Sequence, residues 1–245
     1  FSMRDIFNNQ KFVLCNMTDI IKVCIDKYLE NKGDPYEKPT SKMALIRGKR
    51  WEPGQTLRVK FLGGDPEIQK KVQAKAKDWE NYANLKLEFV SEGDAEIRIA
   101  FQQDGSWSYI GNDALGIAQQ EPTMNYGWLD ENTTDEEYSR VVKHEFGHAL
   151  GCIHEHQNPS GDIPWDKEAV YKYFMGPPNN WPKDQIDRNL FARYSKSITN
   201  FTDLDPTSIM LYPIPAAFTL NRQPIGGRNN DISELDKSFM KEQYP

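Results

Sequence analysis

Residues 56 to 62 read TLRVKFL, and the alternation puts Leu57, Val59 and Phe61 on one face, the period-two pattern of a half-buried strand. Asp65-Pro66 then offers an N-cap and a first-turn proline to a helix burying Ile68, Val72, Ala76 and Trp79. Two more alternating runs, LKLEFV and AEIRIAF, complete the order strand, helix, strand, strand. GSWSYIG reads as a loop and PTMNYGW as an edge strand. Thr134-Asp135-Glu136-Glu137 has the form of a capping box, with acids at the positive end of the coming helix. That helix carries the stripe Val142, Phe146, Ala149, Leu150 and is ended by Gly151. A last helix is expected at SELDKSFMKEQ.

The first 43 residues follow a different pattern. One amphipathic helix is predicted at TDIIKVCIDKYLEN, with Ile21, Cys24, Ile25, Tyr28 and Leu29 on one face, and NKGDPYEKPTSK after it has the composition of a linker. This divides the chain into an N-terminal helical segment, 1–43, and a mixed domain, 44–245. With 245 residues the chain can build a large core without staples. Thirty basic against 36 acidic residues give a net charge of -6, which argues against nucleic acid as a partner. No apolar run reaches the ~20 residues of a membrane span, and no signal peptide is visible at the N-terminus. Three cysteines, Cys15, Cys24 and Cys152, do not make a disulfide framework, although Cys15 and Cys24 could pair.

The chemistry is concentrated in HEFGHALGCIHEH, residues 144 to 156, which holds all four histidines of the chain. On a helix, His144 and His148 lie one above the other and can chelate one ion, and Glu145 between them can address a water. Gly151 lets the backbone turn, so His154 can supply a third nitrogen. A closed structural zinc site would have four protein ligands and no use for Glu145. A hydrolytic one needs three ligands, an open position and a carboxylate to carry the proton. His156 is left over, as a group beside the ligands or at the surface, and Cys152 reads as a small buried thiol.

His144-Glu145-x-x-His148-x-x-Gly151-x-x-His154 resembles the zinc motif of the metzincin peptidases, and SIMLY, residues 208 to 212, resembles their Met-turn. Glu155 directly after the third histidine, Tyr212 two residues beyond Met210, and GSWSYIG make the chain similar to the astacin family. A serralysin-like member is the nearer alternative, but glycine-aspartate calcium repeats are absent. The resemblance implies an α+β, two-part catalytic domain: a twisted mixed sheet with two long helices above a cleft (44–154), and a smaller, mostly irregular and helical lower part (155–245). It implies one catalytic Zn2+ on His144, His148 and His154, with Glu145 as general base and acid. Tyr212 would be an additional ligand at rest that swings to stabilise the oxyanion. Met210 would form the floor, and Glu155 would bind the N-terminal ammonium freed when a prosegment is removed. The implied activity is endopeptidase cleavage of extended protein or peptide segments by a secreted or exported monomer; a catalytically silent zinc-binding protein is the rival.

Departures from the family are also visible. The usual disulfide cysteines have no counterparts here, and His156-Gln157-Asn158 replaces the usual arginine and acidic stretch. Family prosegments block zinc with an aspartate; the one similar site before the boundary is Asn31-Lys32-Gly33-Asp34, which makes Asp34 the candidate latency switch, ahead of a cysteine at position 15 or 24. For the substrate, Thr123, Met124, Asn125 and Tyr126 are the expected edge strand, where backbone pairing gives affinity. Arg222, with Arg228, is the expected wall of the pocket beyond the scissile bond.

Overall fold

The structure, a computed structural model, describes residue 24 and residues 45–158, 162–177, 179–193, 199–200 and 203–245. The predicted N-terminal helix, Cys15 and Asp34 lie outside the described residues. The first element, β1 (Leu45–Ile46), pairs antiparallel with Thr199–Asn200 far downstream. Then β2 (Thr56–Phe61), α1 (Pro66–Ala76), β3 (Lys86–Val90) and β4 (Ile97–Ala100) follow in the predicted order. Asp65 caps α1 as expected, its side chain accepting from the backbone N–H of Glu67 and Ile68. Beyond these lie β5 (Trp107–Ser108), β6 (Met124–Asn125) and the long helix α2 (Asp135–Ala149).

The five strands β2 to β6 form one sheet in the order β3-β2-β4-β6-β5. The pairs β2–β3, β2–β4 and β4–β6 are parallel, while β5 and β6 are antiparallel, with Trp107 opposite Asn125 and Ser108 opposite Met124. This corrects one expectation. Residues 123 to 126 lie inside the sheet, with β4 on one side and β5 on the other, and the edge on that side is the segment that reads as a loop in the sequence, GSWSYIG, with β3 at the opposite end. Two-residue strands carry too little alternation to show which of them is outermost.

Leu57, Val59, Ile97 and Ile99 from the sheet meet Val72 and Ala76 of α1 and Val142, Phe146 and Ala149 of α2 in the main core. A smaller core gathers Ile163, Leu211, Ile214 and Phe218 around α3 (Lys167–Phe174), α4 (Lys183–Ile186) and the turn Asp187–Phe191. After β7 (Thr199–Asn200), the chain ends in α5 (Glu234–Gln243), capped by Ser233 in a full capping box with Asp236.

α2 is not the two-sided helix its stripe suggests: twelve of its fifteen residues are buried. One face lies on the sheet, and the lower part covers the other. Its N-cap is also only half a box. Thr134 accepts from Glu137 N–H, but the Glu137 side chain is taken by Arg140, Trp128 and Arg228 instead of reaching back. Trp79 and Trp51 donate their indole N–H to the carbonyls of Lys143 and Ala149, at 3.0 and 2.8 Å, and so tie α2 to its neighbours near the histidines.

Candidate active site

His144 and His148 are one turn apart on α2, and their Nε2 atoms are 3.2 Å apart. Past the helix end, Gly151 takes a φ of +101°, which glycine adopts without penalty, and the reversed chain delivers His154 Nε2 to 3.2 Å from His148 Nε2. The carbonyl of Ile209 lies 2.8 Å from His144 Nδ1, and that of Cys152 lies 2.8 Å from His148 Nδ1. A carbonyl only accepts, so both Nδ1 atoms carry the hydrogen and both Nε2 lone pairs face the centre of the cluster. Burial, and the neighbouring imidazoles after it, hold His144 well below the ordinary histidine pKa, and burial likewise depresses His154. Neutral rings are what a metal ligand requires.

These distances fit zinc. Tetrahedral ligands at ~2.0–2.1 Å from a common ion stand about 3.3 Å from one another, close to the spacing of the imidazole nitrogens. A fourth donor is present: Cys24 Sγ lies with the three histidine nitrogens inside a group whose ligand atoms are all within 4.8 Å of one another. Cys24 is buried. Cys24, ranked below Asp34 as a switch, stands beside the histidines; among the described residues it is the fourth member of the cluster.

Glu145 is 1% exposed, and its Oε2 accepts from Cys24 Sγ at 3.0 Å. The Tyr212 hydroxyl donates to the Cys24 carbonyl and also lies against His154 Nε2. One residue of the N-terminal segment thus engages the expected base, and through its backbone the expected oxyanion donor.

The floor is built from the turn Ser208–Tyr212. Met210 is fully buried, and a Cβ at Gly147, midway between Phe146 and His148, would fall 2.3 Å from its Sδ. The Asp236 carboxylate of α5 accepts from Ser208 Oγ at 2.8 Å and Ile209 N–H at 2.9 Å. Ile209 O in turn holds His144, so the C-terminal helix orients a ligand through the turn. That link joins residues distant in sequence and carries no local signal.

Glu155 is fully buried. Its Oε1 accepts from Asn158 Nδ2 and Asp205 N–H, while Oε2 finds no partner. Burial raises its pKa well above the usual carboxylate range. His156 is buried rather than at the surface, with Nε2 2.8 Å from Asn189 O. Cys152 is inert as expected: burial pushes its thiol pKa up, and its sulfur faces Met240 Sδ at 3.6 Å.

A small pocket adjoins the cluster, lined by Trp128, Arg140 and Val141 together with Cys24, His144, Glu145 and Tyr212. Glu137 organises its wall, accepting from Arg140 Nε and Nη2 at 2.7 Å, Trp128 Nε1 at 3.0 Å and Arg228 Nη2 at 2.9 Å. Burial alone would raise the Glu137 pKa, but the two guanidiniums overcome it and hold it at about 2. In the sequence Arg140 carries no assigned role and Glu137 only a capping one, although their i, i+3 spacing is a visible signal. Arg222 is elsewhere: it is exposed and pairs with Asp166 at 3.0 Å. Thr123, Met124, Asn125 and Tyr126 are at most 2% exposed and present no open edge.

The family model of astacin, a peptidase family, matches residues 46–245. The zinc metalloproteinase dpy-31 of Caenorhabditis elegans is 23% identical over 217 residues, 80% of this chain and 33% of that protein, so the chain spans about a third of the length of that curated relative. A solved structure of myroilysin is 47% identical with a TM-score of 0.81, covering 82% of this chain and 98% of that one. High choriolytic enzyme 1, a hatching enzyme zinc-protease from Oryzias latipes (Medaka fish), matches at 16% identity and a TM-score of 0.54, over 84% and 98% of the two chains, and at that identity shows the fold alone.

Proposed function

The chain belongs to the astacin family of peptidases and carries the zinc endopeptidase unit of that family; we propose that this unit cleaves extended protein segments and that Cys24 holds it latent in the full chain. The observation that carries the proposal is the convergence of Cys24, His144, His148 and His154, with Glu145 and Tyr212 both bonded to Cys24.

His144, His148 and His154 would hold the ion, and the Cys24 sulfur would take the position that hydrolysis needs open. Zinc, when bound there, supplies Lewis acidity: it polarises the scissile carbonyl and lowers the pKa of a water towards ~7. Glu145, released from the thiol, takes the proton from the attacking water and hands it to the leaving amine nitrogen. Tyr212, released from the Cys24 carbonyl, donates its hydroxyl hydrogen to the oxyanion of the tetrahedral adduct. Met210 and Asp236 keep the histidines in place and do not touch the substrate.

The substrate edge in this reading is β5, because it ends the sheet among the described residues and an added strand pairs through its backbone. Residues 1–43 are the latency segment, with Cys24 rather than Asp34 as the blocking side chain. The orphan Glu155 Oε2, fully buried beside the ligands, supports Glu155 as the receptor for an N-terminal ammonium once that segment is cut away. Export from the cell is part of the same proposal and rests on the family alone. Among the described residues, no helix is long and apolar enough to cross a membrane.

Casein hydrolysis by the full chain tests both parts. The Cys24→Ala chain is expected to cleave faster than wild type, and Cys24→Ala/Glu145→Ala to be inactive. Equal rates for wild type and Cys24→Ala would remove the latency claim. Equal rates for Cys24→Ala and the double variant would remove the peptidase mechanism and favour a silent zinc-binding protein.

A further inference from the structure

The run AEIRIAF predicts a strand with one face for the core, and Ile97 and Ile99 take that face in β4. Arg98 points to the other face of this central strand and is also wholly buried, at 0% exposure. A buried charge is costly unless it is paired or fully hydrogen-bonded. Among the described residues, the five side-chain N–H groups of Arg98 go to backbone carbonyls rather than to a carboxylate. Nε donates to Glu121 O at 2.9 Å, Nη1 to Ala95 O at 2.7 Å and Glu96 O at 3.4 Å, and Nη2 to Ile117 O at 2.9 Å and Ala114 O at 3.3 Å.

Three of those carbonyls, Ala114, Ile117 and Glu121, belong to the connection between β5 and β6, residues 109–123. A connection of that length joins two strands of two residues each, and so short a pair is marginal on its own. The backbone of Arg98 fixes the far end as well: its N–H donates to Thr123 Oγ1 and its carbonyl accepts from Thr123 N–H, both at 2.8 Å. Thr123 O accepts from Tyr109 N–H at 2.9 Å, which carries the β5–β6 pairing one residue past β5. One residue of the central strand thus holds the connection by hydrogen bonds to its interior. None of the five carbonyls belongs to α2 or to the zinc motif.

We propose that Arg98 is a positioning residue for the substrate: by holding residues 109–123 through their carbonyls, it presets β5 as the edge along which an extended peptide pairs. The guanidinium suits the task because its five donors are fixed in one plane, whereas a lysine offers three from a single point. An edge set in advance spares the substrate the cost of ordering it. The contribution therefore belongs to binding and not to the chemical step. This inference rests on the peptidase reading and on β5 as the substrate edge.

The test is Arg98→Lys in the full chain carrying Cys24→Ala, assayed on a peptide long enough to run along β5 and on a short one that spans little more than the scissile bond. For the long peptide KM is expected to rise about tenfold with kcat within about twofold, and for the short one both constants are expected to stay within about twofold. Amide exchange is expected to quicken across residues 107–123 and to stay unchanged in α2, with stoichiometric zinc. Thr123→Val, which removes the acceptor of the Arg98 backbone N–H, is expected to raise KM for the long peptide by less, and it decides alone if Arg98→Lys does not fold. An unchanged KM, an equal rise for both peptides, or a fall in kcat with the metal retained overturns the proposal. So does loss of zinc, which would make Arg98 a support of the metal site. A Cys24→Ala chain that cleaves neither peptide overturns the peptidase reading and this inference with it, whereas an active chain whose KM ignores both substitutions overturns this inference alone.

Discussion

Gly147 stands in the last turn of α2, where glycine costs up to about 1 kcal/mol relative to alanine. The structure gives the reason: a Cβ at this position would lie 2.3 Å from Met210 Sδ, 3.2 Å from Met210 Cε and 3.5 Å from Trp79 Cζ2. Gly147→Ala therefore adds a methyl where the floor methionine already packs. The overpacking costs about 1–3 kcal/mol and is offset by about 1 kcal/mol of helix propensity, so the net loss is about 0–2 kcal/mol. Met210→Ala empties a fully buried site and costs about 2–5 kcal/mol by cavity formation. Together, the new methyl occupies part of the new cavity, and the double variant is expected to be more stable than the sum of the singles by about 1–3 kcal/mol. Urea unfolding of zinc-loaded chains in a Glu145→Ala background, which prevents self-cleavage, measures this coupling. For a chain of this length it appears as about 2–4 °C in Tm per kcal/mol. Additivity within about 0.5 kcal/mol would refute the reasoning that Gly147 exists to admit Met210.

The site sets four further expectations. Tyr212→Phe, in a Cys24→Ala chain, is expected to lower kcat by about 10²-fold with little change in KM, the cost of one oxyanion donor; a raised KM at constant kcat would assign Tyr212 to substrate binding. Glu137 has a folded pKa depressed to about 2, so its contribution is fully present above the unfolded carboxylate value near ~4.3 and is lost as pH falls towards about 2. Glu137→Gln should flatten the acid limb of urea midpoints across that window, and a parallel profile would contradict the role of Glu137 as the carboxylate between Arg140 and Arg228. Removing zinc with a chelator should lower the Tm of the full chain, because binding to the folded state alone stabilises it. Glu145→Ala should keep stoichiometric zinc, and loss of the metal would make Glu145 a ligand rather than the base.

The three longer strands, α1, α2 and α5 were legible in the sequence because each buries one face and announces it by period two or by 3.6. The histidine triad was legible because its ligands fall within eleven residues, close enough for helix geometry and one glycine to fix their relation. What was hidden depends on pairing between distant segments. β5 and β6 are each two residues long, and only the register Trp107 to Asn125 shows that β5 is the edge. Cys24 lies 121 residues before Glu145, with no spacing rule to connect them. Glu137 looked like half of a capping box, and two arginines claimed its carboxylate, one of them, Arg228, 91 residues away. Asp236 was legible as a helix residue but not as the support of Ile209 and, through it, of His144.

Latency as proposed requires the full chain to hold zinc on three imidazoles with the Cys24 sulfur as the fourth donor. Zinc-edge X-ray absorption of the purified full chain tests it most directly. One sulfur neighbour at ~2.3 Å is expected beside nitrogen neighbours at ~2.0–2.1 Å, with the sulfur replaced by oxygen in Cys24→Ala. A wild-type spectrum with no sulfur neighbour, or one unchanged by Cys24→Ala, would contradict it.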